Sequence, residues 1–212
     1  MSYACLIFDL DGTLSDSRPG IAKCINSTLI KYGYDAVEPE TLSRSIGQPL
    51  DAAFRQFTKS EDEKHIAKLV ADYRKEYGVS GYIDNTLYDG IKDILFEFKD
   101  QNIRMGVCTS KPERFARPIL EMFDLMECFD FLSGGDVGIE KAQQLKKLRE
   151  QSHICKNSIM IGDSKYDIIA AKENGLPSAG VLWGYGSAVE IESHKPEHVL
   201  KIPEEIAQLL TW

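Results

Sequence analysis

Short apolar runs alternate with helix-length segments along most of the chain. Five runs show this, and each precedes or follows a segment long enough for a helix: ACLIF, RMGVC, FDFL, SIMIG and SAGVLW. The alternation is typical of a parallel sheet wound with helices, whose strands are apolar because both faces are covered. The pattern therefore predicts an α/β fold built on a doubly wound parallel sheet.

The regular spacing breaks once, between the first run and the second. About 90 residues lie between them, more than one crossover helix needs. Apolar positions three and four apart predict helices there, with two buried faces: Ile21, Cys24, Ile25, Thr28 and Leu29, then Ile66, Leu69, Val70, Tyr73 and Tyr77. We expect an α-helical cap domain at residues 16–84, inserted into a core domain of residues 1–15 and 85–212. Its two crossings would be hinges if the cap moves as a lid.

Two further local features follow from the same periodicity. Asp16 and Ser17 precede Pro19 and a helical pattern, which predicts that they cap the first inserted helix. After the insertion, four apolar positions predict a core helix that leads into the second run: Ile91, Ile94, Leu95 and Phe98.

The composition is that of a soluble globular protein. Of 212 residues, 43% are hydrophobic and 27% are charged, and no apolar run has transmembrane length. The N-terminus lacks a secretory pattern, so we expect cytoplasmic residence and no membrane partner.

A net charge of −8 disfavours nucleic acid polymers as partners. Five scattered cysteines lack metal or disulfide spacing and are expected to be reduced and mostly buried. The sequence leaves open a monomer or a homodimer.

Polar residues end three of the predicted strands. Asp9 and Asp11 follow LIF, Thr109 and Ser110 follow GVC, and Asp163 follows IMI. The carboxyl ends of parallel strands meet at one edge of the sheet, where such folds bind ligands. We therefore expect these side chains to converge.

A fourth carboxylate is expected at the same edge of the sheet, because Asp167 lies on the first turn of the helix after Asp163. Gathered carboxylates suit a hard divalent cation, and Mg²⁺ commonly combines one or two of them with phosphate oxygens. One remaining carboxylate could then attack phosphorus while a second moves the proton of the leaving group. Gly12 allows the chain to turn sharply after Asp9 and Asp11. The residues predict a magnesium site for phosphate chemistry.

Four ordered motifs carry a resemblance to a known family. DLDGT, CTSK, a lysine that opens a later helix, and GDSKYD resemble those of the haloacid dehalogenase superfamily. Within it, LYDG, TSKPERFARPILE and WGYGS are similar to the phosphoglycolate phosphatase group and its bacterial 5'-nucleotidase-like members. The resemblance implies a Rossmann-like core with a helical cap. It also implies a Mg²⁺-dependent phosphatase that forms an aspartyl phosphate from a small phosphorylated metabolite, either phosphoglycolate-like or a nucleoside 5'-monophosphate.

The resemblance also implies roles for single residues. Asp9 would be the nucleophile, and Asp11 the general acid and then the base. Asp9, the Asp11 backbone carbonyl and Asp163 would hold the metal. Thr109, with Ser110 beside it, would hold a transferring phosphate oxygen.

Other positions match the family less closely. The phosphate lysine would be Lys141, although Ala142 stands where the family usually has proline, and Lys111 is the alternative. Gly12 and Asp167 would support the site. In the cap, SIGQPLDAAF resembles a specificity loop, which makes Gln48 and Arg55 candidates for contact with the leaving group.

Two other functions remain open at this point. A phosphosugar mutase like β-phosphoglucomutase shares all four motifs, and a catalytically silent binding or regulatory module could keep the core. The similarity of LYDG and WGYGS to phosphatases favours hydrolysis. Having both Asp9 and Asp11 favours phosphate transfer over carbon–halogen cleavage, because dehalogenase members lack the second aspartate.

Overall fold

The computed structural model describes residues 3–45, 50–135 and 139–210. Its strands are β1 Cys5–Phe8, β2 Ser15–Asp16, β3 Thr86–Leu87, β4 Met105–Pro112, β5 Phe131–Gly135, β6 Ser158–Gly162, β7 Ser178–Val181 and β8 His198–Leu200. Its α-helices are α1 Arg18–Lys31, α2 Pro39–Ser45, α3 Leu50–Thr58, α4 Glu63–Tyr77, α5 Ile91–Asp100, α6 Glu113–Met122, α7 Lys141–Glu150, α8 Lys165–Glu173 and α9 Ala188–Ser193. Within these ranges, no helix is both long enough and apolar enough to cross a bilayer.

Six strands form the main sheet in the order β5-β4-β1-β6-β7-β8. All neighbouring strands of this sheet run parallel. The α/β prediction is confirmed, and all five predicted apolar runs contribute strands. The edge strand β8 was not predicted, because HVL is too short for its apolar residues to show a period.

Helices α7 and α8 pack on one face of the main sheet, and this packing places their first turns near the carboxyl ends of the strands. Alternate residues of β1 join residues from both helices in one apolar cluster: Cys5, Ile7, Cys108, Phe131, Leu145, Leu148, Ile154, Met160, Ala170, Ala171 and Leu176. Each helix follows a parallel strand, so each begins at the carboxyl edge of the sheet. The first turns of α7 and α8 thereby carry Lys141 and Asp167 to that edge.

The predicted core helix after the insertion is confirmed as α5. Its four apolar positions are all buried, and the helix packs against a 3₁₀ helix at Pro203–Leu210. The spacing of three and four residues identified this face correctly because one side of the helix is covered and the other is solvated.

The chain divides into two compact units. One comprises the chain up to Asp16 and from Thr86 onward, and the other is Ser17–Asn85. The second unit contains α1 to α4, and its predicted apolar faces are largely confirmed: α1 buries Gly20, Cys24, Ile25, Thr28 and Leu29, and α4 buries Ile66, Leu69, Tyr73 and Tyr77. Ile21 and Val70 lie at the margins of these faces and are only half-buried.

The capping prediction at the start of α1 was wrong. Ser17 occupies the N-cap position but makes no side-chain capping hydrogen bond. Its φ of −92° and ψ of 0° differ from the extended conformation that aims an N-cap side chain at the first turn. Asp16 instead belongs to β2, which pairs antiparallel with β3 through Ser15 with Leu87 and Asp16 with Thr86.

Candidate active site

The carboxyl ends of two adjacent strands, β1 and β6, bring three of the predicted acidic residues together. Asp9 follows β1, Asp163 follows β6, and Asp167 lies on α8. All three are buried, and one carboxylate oxygen from each lies within 4.8 Å of the others. Asp9 and Asp163, which were expected to converge, therefore lie together with Asp167 in the structure.

Lys141 lies between two of these carboxylates. Its ammonium is 3.0 Å from Asp9 Oδ1 and pairs with Asp167 Oδ1. Burial alone lowers the pKa of this lysine, but the Asp167 and Asp9 carboxylates more than compensate and raise it above its usual range. Lys141 is therefore a charged group, although only 5% of the residue is exposed.

Lys111 forms an ion pair with Asp11, the second aspartate after β1. Its Nζ lies 2.9 Å from Asp11 Oδ2, and its side chain is only 7% exposed. Its backbone N–H also donates to Thr109 Oγ1 at 3.2 Å. Each lysine thus faces a different aspartate, and the assignment of Lys141 as the phosphate lysine stays a prediction.

The site holds more negative than positive charge. Burial, followed by repulsion from Asp167 and Asp9, raises the pKa of Asp163 to about 7. Burial also raises the pKa of Asp9 to about 6, which Lys141 opposes and Asp167 and Asp11 reinforce. Burial is the main cause of both shifts, and the neighbouring carboxylates add to it, so ionising these two groups in the metal-free site is unfavourable.

A divalent cation fits this arrangement. Four carboxyl groups face two ammonium groups, so the cluster carries two excess negative charges when all four are ionised. Among the described residues, Asp11 Oδ1 is buried without a hydrogen-bond partner, and Asp9 Oδ1 faces Lys141 without hydrogen-bond alignment. Buried carboxylate oxygens with unused lone pairs are the hard ligands that Mg²⁺ takes.

Two hydrogen bonds hold the Asp163 carboxylate in place. Thr13 Oγ1 donates to Oδ1 at 3.2 Å, and the Tyr185 N–H donates to Oδ2 at 2.8 Å. Gly12 makes the close approach possible, because its φ is +86° and a Cβ there would lie 2.6 Å from Asp163 Cγ. Gly12 therefore supports the site through the backbone.

The loop after β7 packs directly against this aspartate. Trp183 Nε1 donates to the Thr13 carbonyl at 3.0 Å, which ties the loop to the turn after β1. A Cβ at Gly184 would lie 2.7 Å from Asp163 Cγ, so only glycine fits there. Sequence reasoning noticed WGYGS by its similarity alone and missed Trp183 and Thr13, whose partners lie about 150 residues or more away along the chain.

Asp167 and Ser110, the other two candidates at the strand ends, differ in their contacts. Asp167 already has partners, because its Oδ2 accepts bonds from the N–H and the hydroxyl of Ser164 while its Oδ1 faces Lys141. It supports the lysine and the start of α8. Ser110 is exposed, unlike the buried Thr109 beside it, and makes no hydrogen bond to the acidic cluster within the described residues.

The two cap candidates are Arg55 and Gln48, and the described contacts of Arg55 lie within its own unit. Arg55 belongs to the helical unit, where its guanidinium pairs with Glu61 at 3.3 Å and Glu63 at 2.7 Å. Gln48 lies outside the described residues. Their suggested contact with a leaving group stays a prediction.

Comparison with known proteins agrees with the motifs. A family model described as haloacid dehalogenase-like hydrolase matches residues 6–181. A 5'-nucleotidase of Pseudomonas aeruginosa is 33% identical over 202 residues, covering 93% of this chain and 91% of the relative. A phosphoglycolate phosphatase of Aquifex aeolicus is 30% identical, covering 97% and 95%. A crystal structure described as a predicted phosphatase from Clostridium acetobutylicum superposes with a TM-score of 0.90 at 33% identity, over 100% of both chains.

The matched region contains every motif that forms the acidic site, from the β1 aspartates to the GDSKYD segment. The fold, the order of the motifs and the geometry at the strand ends agree with one another. The chain belongs to the haloacid dehalogenase-like hydrolase family.

Proposed function

We propose that this protein is a Mg²⁺-dependent phosphatase that hydrolyses a small phosphomonoester through an aspartyl phosphate on Asp9. The observation that carries the proposal is the buried carboxylate cluster with its two lysines, whose uncompensated charge matches a divalent cation. The named relatives support a phosphoric monoester hydrolase.

The metal would be held by Asp9, the Asp11 backbone carbonyl and Asp163. When bound, Mg²⁺ supplies positive charge to the phosphate oxygens and to the surrounding carboxylates. Lys141 adds a fixed positive charge beside Asp9. The Thr109 hydroxyl can donate to a phosphate oxygen, because its own oxygen already accepts the Lys111 N–H.

The first step forms a bond between an Asp9 carboxylate oxygen and phosphorus. The bond from phosphorus to the ester oxygen breaks, and protonated Asp11 gives its proton to that oxygen. In the second step Asp11, now ionised, takes a proton from water as the water attacks phosphorus. Asp9 leaves as a carboxylate, so one ester and one water become one alcohol and one phosphate.

The names of the relatives indicate the substrate class. Phosphoglycolate and nucleoside 5'-monophosphates lead, because relatives of both names cover nearly the whole chain. The intact cluster argues against a silent module. Cytoplasmic residence, a lone small metabolite as partner and the oligomeric state stay predictions from the sequence.

The test is a phosphate-release screen with Mg²⁺ across phosphoglycolate, nucleoside 5'-monophosphates and a hexose 1-phosphate, comparing kcat/KM. We expect one of the first two classes to be preferred, and Asp9→Asn to lower kcat/KM by about a thousandfold or more because an amide is a poor nucleophile. Asp93→Asn, an exposed position on α5, is the matched control and should keep full activity.

Two outcomes would overturn the proposal. One is a folded wild-type protein that releases no phosphate from any of these esters with Mg²⁺. The other is conversion of the hexose 1-phosphate to the 6-phosphate without free phosphate, which would favour the mutase.

A further inference from the structure

The inward face of α7 contains a buried amide that the proposed reaction does not use. Four residues form this face: Lys141, Gln144, Leu145 and Leu148. Gln144 is only 4% exposed. A buried primary amide is costly unless its donors and acceptor find partners, so its contacts show what it holds.

The Gln144 amide bridges two strands of the sheet. Its Nε2 donates to the Thr109 carbonyl at 3.2 Å, and its Oε1 accepts from Ser133 Oγ at 3.0 Å. The Cys108 thiol also faces Oε1 at 3.9 Å. The orientation of the amide follows from its partners, because a flipped amide would set its oxygen against the Thr109 carbonyl.

The bond to Thr109 falls where the sheet becomes irregular. Thr109 pairs with Gly134 but Pro112 pairs with Gly135, so the register of β4 against β5 shifts between them. Such a bulge interrupts the regular ladder of backbone hydrogen bonds and re-aims nearby side chains. Lys111 lies inside the shift, where its side chain reaches Asp11. The Gln144 side chain thus supplies a hydrogen bond to the backbone at the start of this bulge.

The same amide also anchors the first turn of α7. Gln144 lies three residues after Lys141, so the two side chains lie on one face of the helix. The bond from Gln144 to Thr109 therefore connects the strand that carries the Thr109 hydroxyl with the helix turn that carries the Lys141 ammonium. These are the two protein groups that would hold the transferring phosphate.

We infer that Gln144 is a positioning residue for the phosphate site, acting through Thr109 and the first turn of α7. The inference rests on the proposed phosphatase function for its kinetic consequence. Its structural part, the fixing of Thr109 and the bulge, can be tested without any substrate.

Gln144→Leu is the central variant, because leucine has a similar volume and no hydrogen bonds. The variant loses the bonds to Thr109 and Ser133, and loss of the bond to Thr109 should raise KM for 4-nitrophenyl phosphate and Ki for inorganic phosphate by about five- to tenfold, with a smaller change in kcat. Ser133→Ala removes only the other partner of the amide and should change both constants by less than about twofold.

The matched control is Leu148→Ala, which lies on the same helix face and belongs to the apolar cluster instead. It should lower the melting temperature more than Gln144→Leu does, yet leave KM and the phosphate Ki unchanged. A purely structural role for Gln144 would make the two variants behave alike, and that result would overturn the inference.

Amide hydrogen exchange separates this inference from the phosphatase proposal. In Gln144→Leu we expect faster exchange at the Lys111 N–H, which bonds Thr109 Oγ1, than in wild type or in Leu148→Ala. An unchanged Lys111 exchange rate would contradict the inference even if the enzyme is a phosphatase. Faster exchange in a protein without phosphatase activity would refute only the proposed function.

Discussion

At the scale of single residues, the site depends on carboxylates that are buried together and incompletely neutralised. The pKa of Asp163 is raised to about 7 and that of Asp9 to about 6. Each folded-state pKa exceeds the ordinary value of 3.8. The folded protein therefore keeps protons that the unfolded chain releases between pH 4 and pH 7, and these groups destabilise the metal-free fold as pH rises.

This gives a pH prediction for the metal-free protein. In the presence of EDTA, the free energy of unfolding should fall as pH rises from about 4 to about 7, and Asp163→Asn should reduce that fall. Mg²⁺ at pH 8 should raise the melting temperature of the wild type but much less that of the variant. Urea denaturation at several pH values measures the first effect, and thermal scans measure the second. Equal pH profiles for the two proteins would show that burial and the neighbouring carboxylates do not raise the pKa of Asp163.

The cysteines give a second prediction at this scale. Cys155 is exposed, and the other four cysteines are buried. Burial raises the pKa of Cys5 and of Cys108 to about 12, and that of Cys24 to about 11, so these thiols stay protonated and unreactive. We expect one fast thiol in the native protein with a disulfide reagent at pH 8, and five after unfolding. Cys155→Ser should remove the fast phase, and a remaining fast phase would contradict the burial pattern.

At the scale of elements, the sequence predicted those whose pattern is local. The core strands are continuous apolar runs, and the helices α1, α4 and α5 have apolar positions three and four residues apart. Strands β2 and β3 have two residues each, too few for any period. The loop contacts of Trp183 and the amide bridge of Gln144 depend on partners in other elements, and nothing next to them in the sequence indicates those partners.

The loop after β7 carries a prediction of its own. Trp183→Phe removes the N–H that bonds the Thr13 carbonyl and keeps most of the ring. A looser loop holds the Tyr185 N–H less firmly against Asp163, so we expect the Mg²⁺ concentration for half-maximal activity to rise by about fivefold. Tyr166→Phe, at an exposed position on α8, is the control and should leave that concentration unchanged. An equal Mg²⁺ requirement in Trp183→Phe would mean that the loop does not help to hold the metal ligand.

At the scale of the whole molecule, the break in strand spacing indicated an insertion between β1 and the second core strand. In the structure one compact unit extends to Asp16 and resumes at Thr86, so both boundaries lie one residue later in the chain than those of the predicted insertion at 16–84. What the cap contributes to substrate choice could not be derived, because specificity depends on side chains from distant segments. Gln48 within SIGQPLDAAF and Arg55 directly after it were suggested only by the resemblance of this segment to a specificity loop.

The central claim is that Asp9 becomes phosphorylated during turnover. Asp11→Asn is the best protein in which to see this, because it keeps the backbone carbonyl and lacks the base for the second step. 4-Nitrophenolate leaves without needing a proton, so the first step should still occur in this variant. The aspartyl phosphate should therefore accumulate.

The direct measurement is borohydride trapping after rapid quenching of Asp11→Asn with 4-nitrophenyl phosphate and Mg²⁺. Borohydride reduces an aspartyl phosphate to homoserine, which peptide mass spectrometry detects. We predict homoserine at position 9, and none in the double variant Asp9→Asn/Asp11→Asn or without substrate. Release of 4-nitrophenolate with residue 9 left as unmodified aspartate at every quench time would contradict the account.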